Sequence, residues 1–131
     1  MKLRRYFEEH HGRGIIATAD TQGNVNAAVY ATPHFMDNGQ IAFIMRDRLT
    51  HKNITENPKA TYLFIEEGEV VKGVRLYLEK TDEEQDSAQL KELNRRKGRY
   101  PEDDQEPRFL VYFKVTKILP LLGDADPGIT L

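Results

Sequence analysis

Apolar and polar positions change period along the chain, and the changes mark its elements. Leu3, Tyr6, Phe7 and His10 recur at helical spacing, while Arg4–Glu8 and Arg5–Glu9 can pair at i,i+4 on the other side. A short helix is predicted over residues 2–11, stopped by Gly12 and Gly14. From Ile15 the period shortens to that of strands. Ile15–Ala19 and Val25–Ala31 flank the turn Asp20-Thr21-Gln22-Gly23-Asn24. Pro33 interrupts the returning strand, and Asp37-Asn38-Gly39 marks a second hairpin. Ile41–Arg46 and Ala60–Ile65 are apolar on both faces. Val70–Lys80 ends in clean alternation, with Val74, Leu76 and Leu78 on one face and Arg75, Tyr77 and Glu79 on the other. Phe109, Val111, Phe113 and Val115 define the core face of a last long strand.

Two helical segments lie between strands. One spans Thr50–Asn57 and stops at Pro58. The other runs from Thr81 to Lys97, with Thr81 and Glu84 in capping-box spacing and a thin apolar seam of Ala88, Leu90 and Leu93. From Glu79 to Glu106 ten acids and six bases give a net charge of −4, and Tyr100–Pro107 is expected to be a charged loop. The whole stretch reads as a solvated excursion between two strands. With no repeat and no linker, residues 1–131 form a single domain. Six strands with hairpin connections predict a mainly β fold, an antiparallel barrel whose closure removes its edges. A parallel sheet would need a crossover after each strand, and the early hairpins forbid it.

Composition narrows the function. The formal charge is −2, which argues against a dedicated nucleic-acid binder. There is no cysteine, so thiolate metal sites, disulfides and cysteine nucleophiles are excluded. No apolar run approaches the roughly 20 residues of a membrane span, and the N-terminus lacks a signal-peptide core. A soluble, cytoplasmic protein with no membrane partner is expected.

The chemically richest stretch is Arg46-Asp47-Arg48-Leu49-Thr50-His51-Lys52-Asn53, with a net charge of +2 at a strand-to-helix junction. A helix N-terminus presents unpaired N–H groups and a partial positive charge, and arginine matches phosphate with a planar fork. The same residues read equally well as an ordinary charged loop. The histidines form no metal set: His10 and His11 are adjacent, and His34 and His51 are isolated. No nucleophile triad, glycine-rich nucleotide loop or paired-carboxylate motif stands out. A non-enzymatic binding module, such as an oligonucleotide-binding barrel, is a competing reading. Tyr6, Phe7, Tyr30 and Phe35 are not interleaved with the basic stripe it would need.

Several pieces, in order, resemble the pyridoxamine 5′-phosphate oxidase-like, FMN-binding split-barrel family. Gly14–Asp20 with Gly23 resembles its first hairpin, Ala27–Thr32 its second strand and Gly39–Arg46 its third. Asn53-Ile54-Thr55-Glu56-Asn57-Pro58-Lys59-Ala60 matches its N-[LIV]-x-x-[ND]-P-x-[VA] signature. The resemblance implies a six-stranded split barrel working as a homodimer, with FMN between the subunits. It implies that Arg46, Arg48, Thr50 and Lys52 neighbour the phosphate. The backbone of Ala28, Val29, Tyr30, Ala31 and Thr32 would line the ring system, with Ile44 and Met45 nearby. The resemblance further implies a flavin-dependent oxidoreductase or electron carrier without a named catalytic side chain. Some relatives of the barrel hold deazaflavin or haem, and haem would need an axial ligand such as His34 or His51. Three residues before the signature Asn, many members carry Lys; this chain has Thr50 there, with Lys52 two residues later. No Arg-x-His motif stands near the end, so the oxidase's substrate is not carried over. A small barrel fills with its own side chains, so the ring must lie outside it. A second subunit is expected to cover it, burying some of Tyr30, Tyr77 and Tyr112.

Overall fold

The computed structural model describes residues 1–97 and 105–131. Its elements are α1 (Leu3–Glu9), β1 (Gly12–Ala19), β2 (Val25–Tyr30), β3 (His34–Phe35), β4 (Ile41–Arg46), α2 (Leu49–Glu56), β5 (Lys59–Glu66), β6 (Gly73–Gln85), α3 (Ala88–Lys97) and β7 (Arg108–Pro120). Short turns with side-chain caps build the hairpins. Asp20 Oδ1 accepts the N–H groups of Gln22 and Asn24, each at 2.9 Å, and folds β1 back onto β2. Asn38 Oδ1 does the same for Gln40 N–H at 3.1 Å before β4.

The strands form one curled antiparallel sheet in the order β2-β1-β5-β6-β7-β4-β3. The expected mainly β split barrel is present, with seven strands rather than six. The extra one is β3: beyond Pro33, His34 and Phe35 pair with Ala42 and Ile41. The inward faces match the alternation in the sequence. Val74, Leu76, Leu78, Phe109, Val111, Phe113 and Val115 are buried with Ile16, Phe43, Tyr62 and Phe64. Helix α1 closes one end of the barrel with Leu3 and Tyr6.

Two local expectations are corrected. The glycines at 12 and 14 do not stop α1, which ends at Glu9; both belong to β1. They are needed for close approach. A Cβ on Gly12 would sit 2.0 Å from the Ile65 carbonyl oxygen, and one on Gly14 would sit 1.8 Å from Tyr62 Oη. The second correction concerns Thr81–Gln85, which extend β6 instead of opening a helix. The capping-box spacing loses because β7 supplies a ladder there, with Asp82 opposite Tyr112 and Gln85 opposite Phe109. Helix α3 starts later, where Ser87 Oγ accepts the Leu90 N–H at 3.1 Å.

Helix α3 is also not a solvated excursion. Leu90 packs with Ala42, Ile44 and Leu110 on the outer face of β4 and β7. Burying that leucine alone contributes about 2 kcal/mol. Of the charged loop expected over residues 100–107, positions 100–104 lie outside the described residues, and 105–107 lead into β7. Among the described residues no helix is long and apolar enough to cross a membrane.

Candidate functional site

The barrel is split between the two outermost strands of its sheet. β2 and β3 are the two edges of the sheet, and only residues 31–33 separate them in the chain. A cleft of about 400 Å³ opens along this seam. Ala28, Val29, Tyr30 and Ala31 line it from β2 and its continuation, and Ile44 and Arg46 from β4. Arg48 and Thr50 line it from the turn into α2. Asn26, Phe43 and Leu49 complete the wall, and the Tyr30 ring meets Phe43 edge-on at 6.0 Å.

Three expected residues do not line this cleft. Met45 alternates with Ile44 and points into the barrel core, fully buried. Thr32 lines a neighbouring cavity. Lys52 is exposed on α2. Its charge makes a small contribution to holding the Asp20 carboxyl below its ordinary range, which hydrogen bonds from Asn24 chiefly do.

The electrostatics of the cleft mouth are set by two arginines. Arg48 donates from Nε and Nη2 to the two Glu106 oxygens, both at 3.0 Å. Arg46 donates from Nη1 to the same carboxylate. These contacts hold the Glu106 carboxyl below its usual range, Arg48 first and Arg46 next. The chain's own carboxylate therefore sits where two cations converge, in the fork geometry that suits an oxyanion. Helix α2 begins at the same point without a side-chain cap. Its first-turn N–H groups lack helical acceptors and add a partial positive charge.

Contacts behind the cleft fix this junction. Asn53 Nδ2 donates to Thr18 Oγ1 at 3.2 Å, both buried, and ties α2 to β1. Ile54 enters the core, and Asn57 Oδ1 accepts the Lys59 N–H at 3.2 Å. The residues of the N-[LIV]-x-x-[ND]-P signature thus seat α2 against β1, the core and the start of β5. Asn26 Nδ2 reaches Thr50 Oγ1 at 3.4 Å, linking the start of α2 to β2.

Three sets of contacts were not legible beforehand. His51 is buried, stacks on Phe109 with ring centroids 3.8 Å apart, and bonds Glu83 through Nε2 at 3.0 Å. Burial would raise the Glu83 carboxyl, but hydrogen bonds from Lys80 and His51 hold it below its ordinary range. Tyr62 donates its hydroxyl between the carbonyls of Tyr30 at 3.3 Å and Ala31 at 3.2 Å, fixing the cleft wall from inside the core. Glu106 makes the third. Strand pairing, which the sequence does not reveal, places it: Arg46 lies opposite Arg108, which brings Glu106 beside Arg46. Among the described residues no group of three or more His, Asp or Glu side chains is placed to hold a metal.

A split antiparallel barrel with a cationic strand-to-helix turn at its seam defines a class of ligand-binding domains. The family model described as pyridoxamine 5′-phosphate oxidase matches residues 2–120, and the chain belongs to that family. No curated protein matches the sequence. Among solved structures, the chain is similar to an FMN-binding protein from Syntrophomonas wolfei subsp. wolfei. The two share 20% identity over 93% of this chain and 85% of that one, with a TM-score of 0.74. HupZ from Group A Streptococcus superposes with a TM-score of 0.67 at 20% identity, over 89% and 90% of the two chains. An F420 reductase gives 0.64 at 23% identity, over 84% and 90%. At these identities the likeness is one of fold.

Proposed function

We propose that this protein binds FMN at the seam cleft and works as a small flavin-dependent oxidoreductase or electron carrier. One observation carries the reading: Arg46 and Arg48 converge on a single carboxylate beside the uncapped start of α2, at the mouth of the cleft. A terminal phosphate offers the same kind of oxyanion acceptors with more charge. A cleft of about 400 Å³ is within the range of small-molecule sites. The main chain of Ala28–Ala31 would line the ring system, while Phe43 and Ile44 keep water from one side. The bound flavin would supply the redox chemistry, and the chain's part is to bind, orient and shield.

The likeness to an FMN-binding protein supports this cofactor, and the likeness to an F420 reductase makes a deazaflavin its competitor. Haem is less well supported. His51 is already engaged with Phe109 and Glu83, and His34 is buried.

The cofactor would sit between two copies of the chain. On the outer sheet face, Ile15 lies in register between Val29 and Leu63, and Ala17 between Ala27 and Thr61. Val25 and Val29 are 84% and 81% exposed on the edge strand, and Val29 also lines the cleft. A β-branched apolar face of this kind favours a partner surface, and a second copy placed there would close the flavin's open side.

The test is titration of apo-protein with FMN, FAD and a deazaflavin, followed by fluorescence quenching, with sedimentation of the loaded protein. Tight FMN binding by a two-chain species is expected. Equal or tighter binding of FAD would count against a site for one terminal phosphate. Tighter binding of the deazaflavin would reassign the cofactor, and tight binding by a single chain would remove the dimer.

A further inference from the structure

A second cavity lies across residues 31–33 from the seam cleft. Its volume is about 860 Å³, about twice that of the cleft, and Ala31 lines both. The partition between them is fixed from below, because the Tyr62 hydroxyl holds the Tyr30 and Ala31 carbonyls.

The described lining of this cavity has a charged rim and an apolar floor. Helix α1 contributes Arg4, and the last turn of α3 contributes Arg96 and Lys97. Two carboxylates share the rim, Glu8 and Glu67. Glu8 is already matched by Arg4 at 3.6 Å, and Arg96 also reaches Glu92 at 3.3 Å. His10, His11 and His34 add imidazoles from the end of α1 and from β3. The described lining thus carries three permanent cations against two carboxylates, and two of those cations already face a carboxylate. On the floor, Phe7 and Phe35 stand 5.9 Å apart with their rings tilted by 44°, and Leu93 lies on the α3 side.

We infer that this cavity is a second binding site, for a planar aromatic carboxylate. Partly exposed aromatic side chains accept a flat ring in offset or edge-on contact. Guanidinium and ammonium groups at the rim pair with the carboxylate. The volume falls within the range of small-ligand sites. That the ligand lies beside a flavin rests on the function proposed above; the anion site itself does not.

The probe is 2-naphthoate, followed by its fluorescence, with 2-naphthamide as the uncharged analogue. Both are titrated into the full-length protein with and without saturating FMN. Saturable binding of 2-naphthoate in both conditions is expected, with the amide about tenfold weaker. The exposed pair Arg96→Ala and Lys97→Ala together should weaken 2-naphthoate by about tenfold and leave FMN affinity unchanged. Absence of saturable binding, equal affinity for the amide, an unaffected double variant, or displacement of 2-naphthoate by FMN would each overturn the inference. Binding of 2-naphthoate with no uptake of FMN would support the anion site and refute the flavin reading, so the two failures are distinguishable.

Discussion

Substituting Gly14 with alanine tests whether the core dictates the shape of the cleft. The new methyl would lie 1.8 Å from Tyr62 Oη, 2.3 Å from Cζ and 2.6 Å from Cε1. Tyr62 is fully buried and packs on Phe43 at 5.0 Å, so its ring is not a flexible end that can swing away. Overpacking of this kind costs about 1–3 kcal/mol. Displacing a hydroxyl that serves the Tyr30 and Ala31 carbonyls adds about 1 kcal/mol. A net loss of about 2–4 kcal/mol corresponds to a fall of roughly 6–20 °C in Tm for a chain of this size. Thermal and urea unfolding of the apo-protein give the stability, and flavin titration reports on the cleft wall. The double variant Gly14→Ala, Tyr62→Leu should be more stable than the sum of the two single effects by at least about 1 kcal/mol, because the clash is gone. A Gly14→Ala protein that melts within about 2 °C of the parent, or strict additivity in the double variant, would refute the reasoning.

Other outcomes follow from the same contacts. Arg46→Ala and Arg48→Ala should each weaken FMN binding about ten- to a hundredfold, read by fluorescence quenching, since each removes charge-assisted hydrogen bonds. Glu106→Gln should tighten FMN binding by at least about threefold, because the phosphate no longer displaces a carboxylate from the two arginines; weaker binding would mean that Glu106 holds the arginines in place for the ligand. Burial, with the Glu84 hydrogen bond and charge, pushes the Tyr112 phenol up to about 12. The folded state then keeps that proton longer than the unfolded chain, so stability is intact below pH 10 and falls between about pH 10 and 12; urea midpoints across that window should flatten in Tyr112→Phe.

The sheet was legible because its strands alternate cleanly and its turns carry their own caps. Val74, Leu76 and Leu78 announce one core face, and Asp20 with Asn24 announces one reversal. What failed was local: Thr81 and Glu84 have helical capping spacing, yet the ladder with β7 outweighs it. The two glycines after α1 read as breakers because what they make room for is far away in sequence: the Ile65 carbonyl for Gly12, and Tyr62, 48 positions on, for Gly14. At the site, the basic turn was visible as a charge cluster in eight consecutive residues. Glu106 was hidden, because nothing near it in sequence indicates that β7 starts beside the end of β4. Met45 and Ile44 were grouped together beforehand, but alternation on β4 sends one into the core and leaves the other on the outer face.

The seam cleft is bordered by an edge strand, and an edge strand turns alternate main-chain N–H and C=O groups away from its one neighbour. Polar groups of that origin are supplied by every residue, with only the N–H missing at proline, and survive most changes of side chain. Sequence drift along β2 is therefore cheap for the cleft, whereas a change of chain length is not. Deleting one residue between Val25 and Tyr30 would invert the strand's two faces beyond the gap, turning the exposed face of Val29 inward and the core-packed face of Tyr30 outward. On this geometry a change of spacing between Asp20 and Pro33 disturbs the site more than a change of side chain between them.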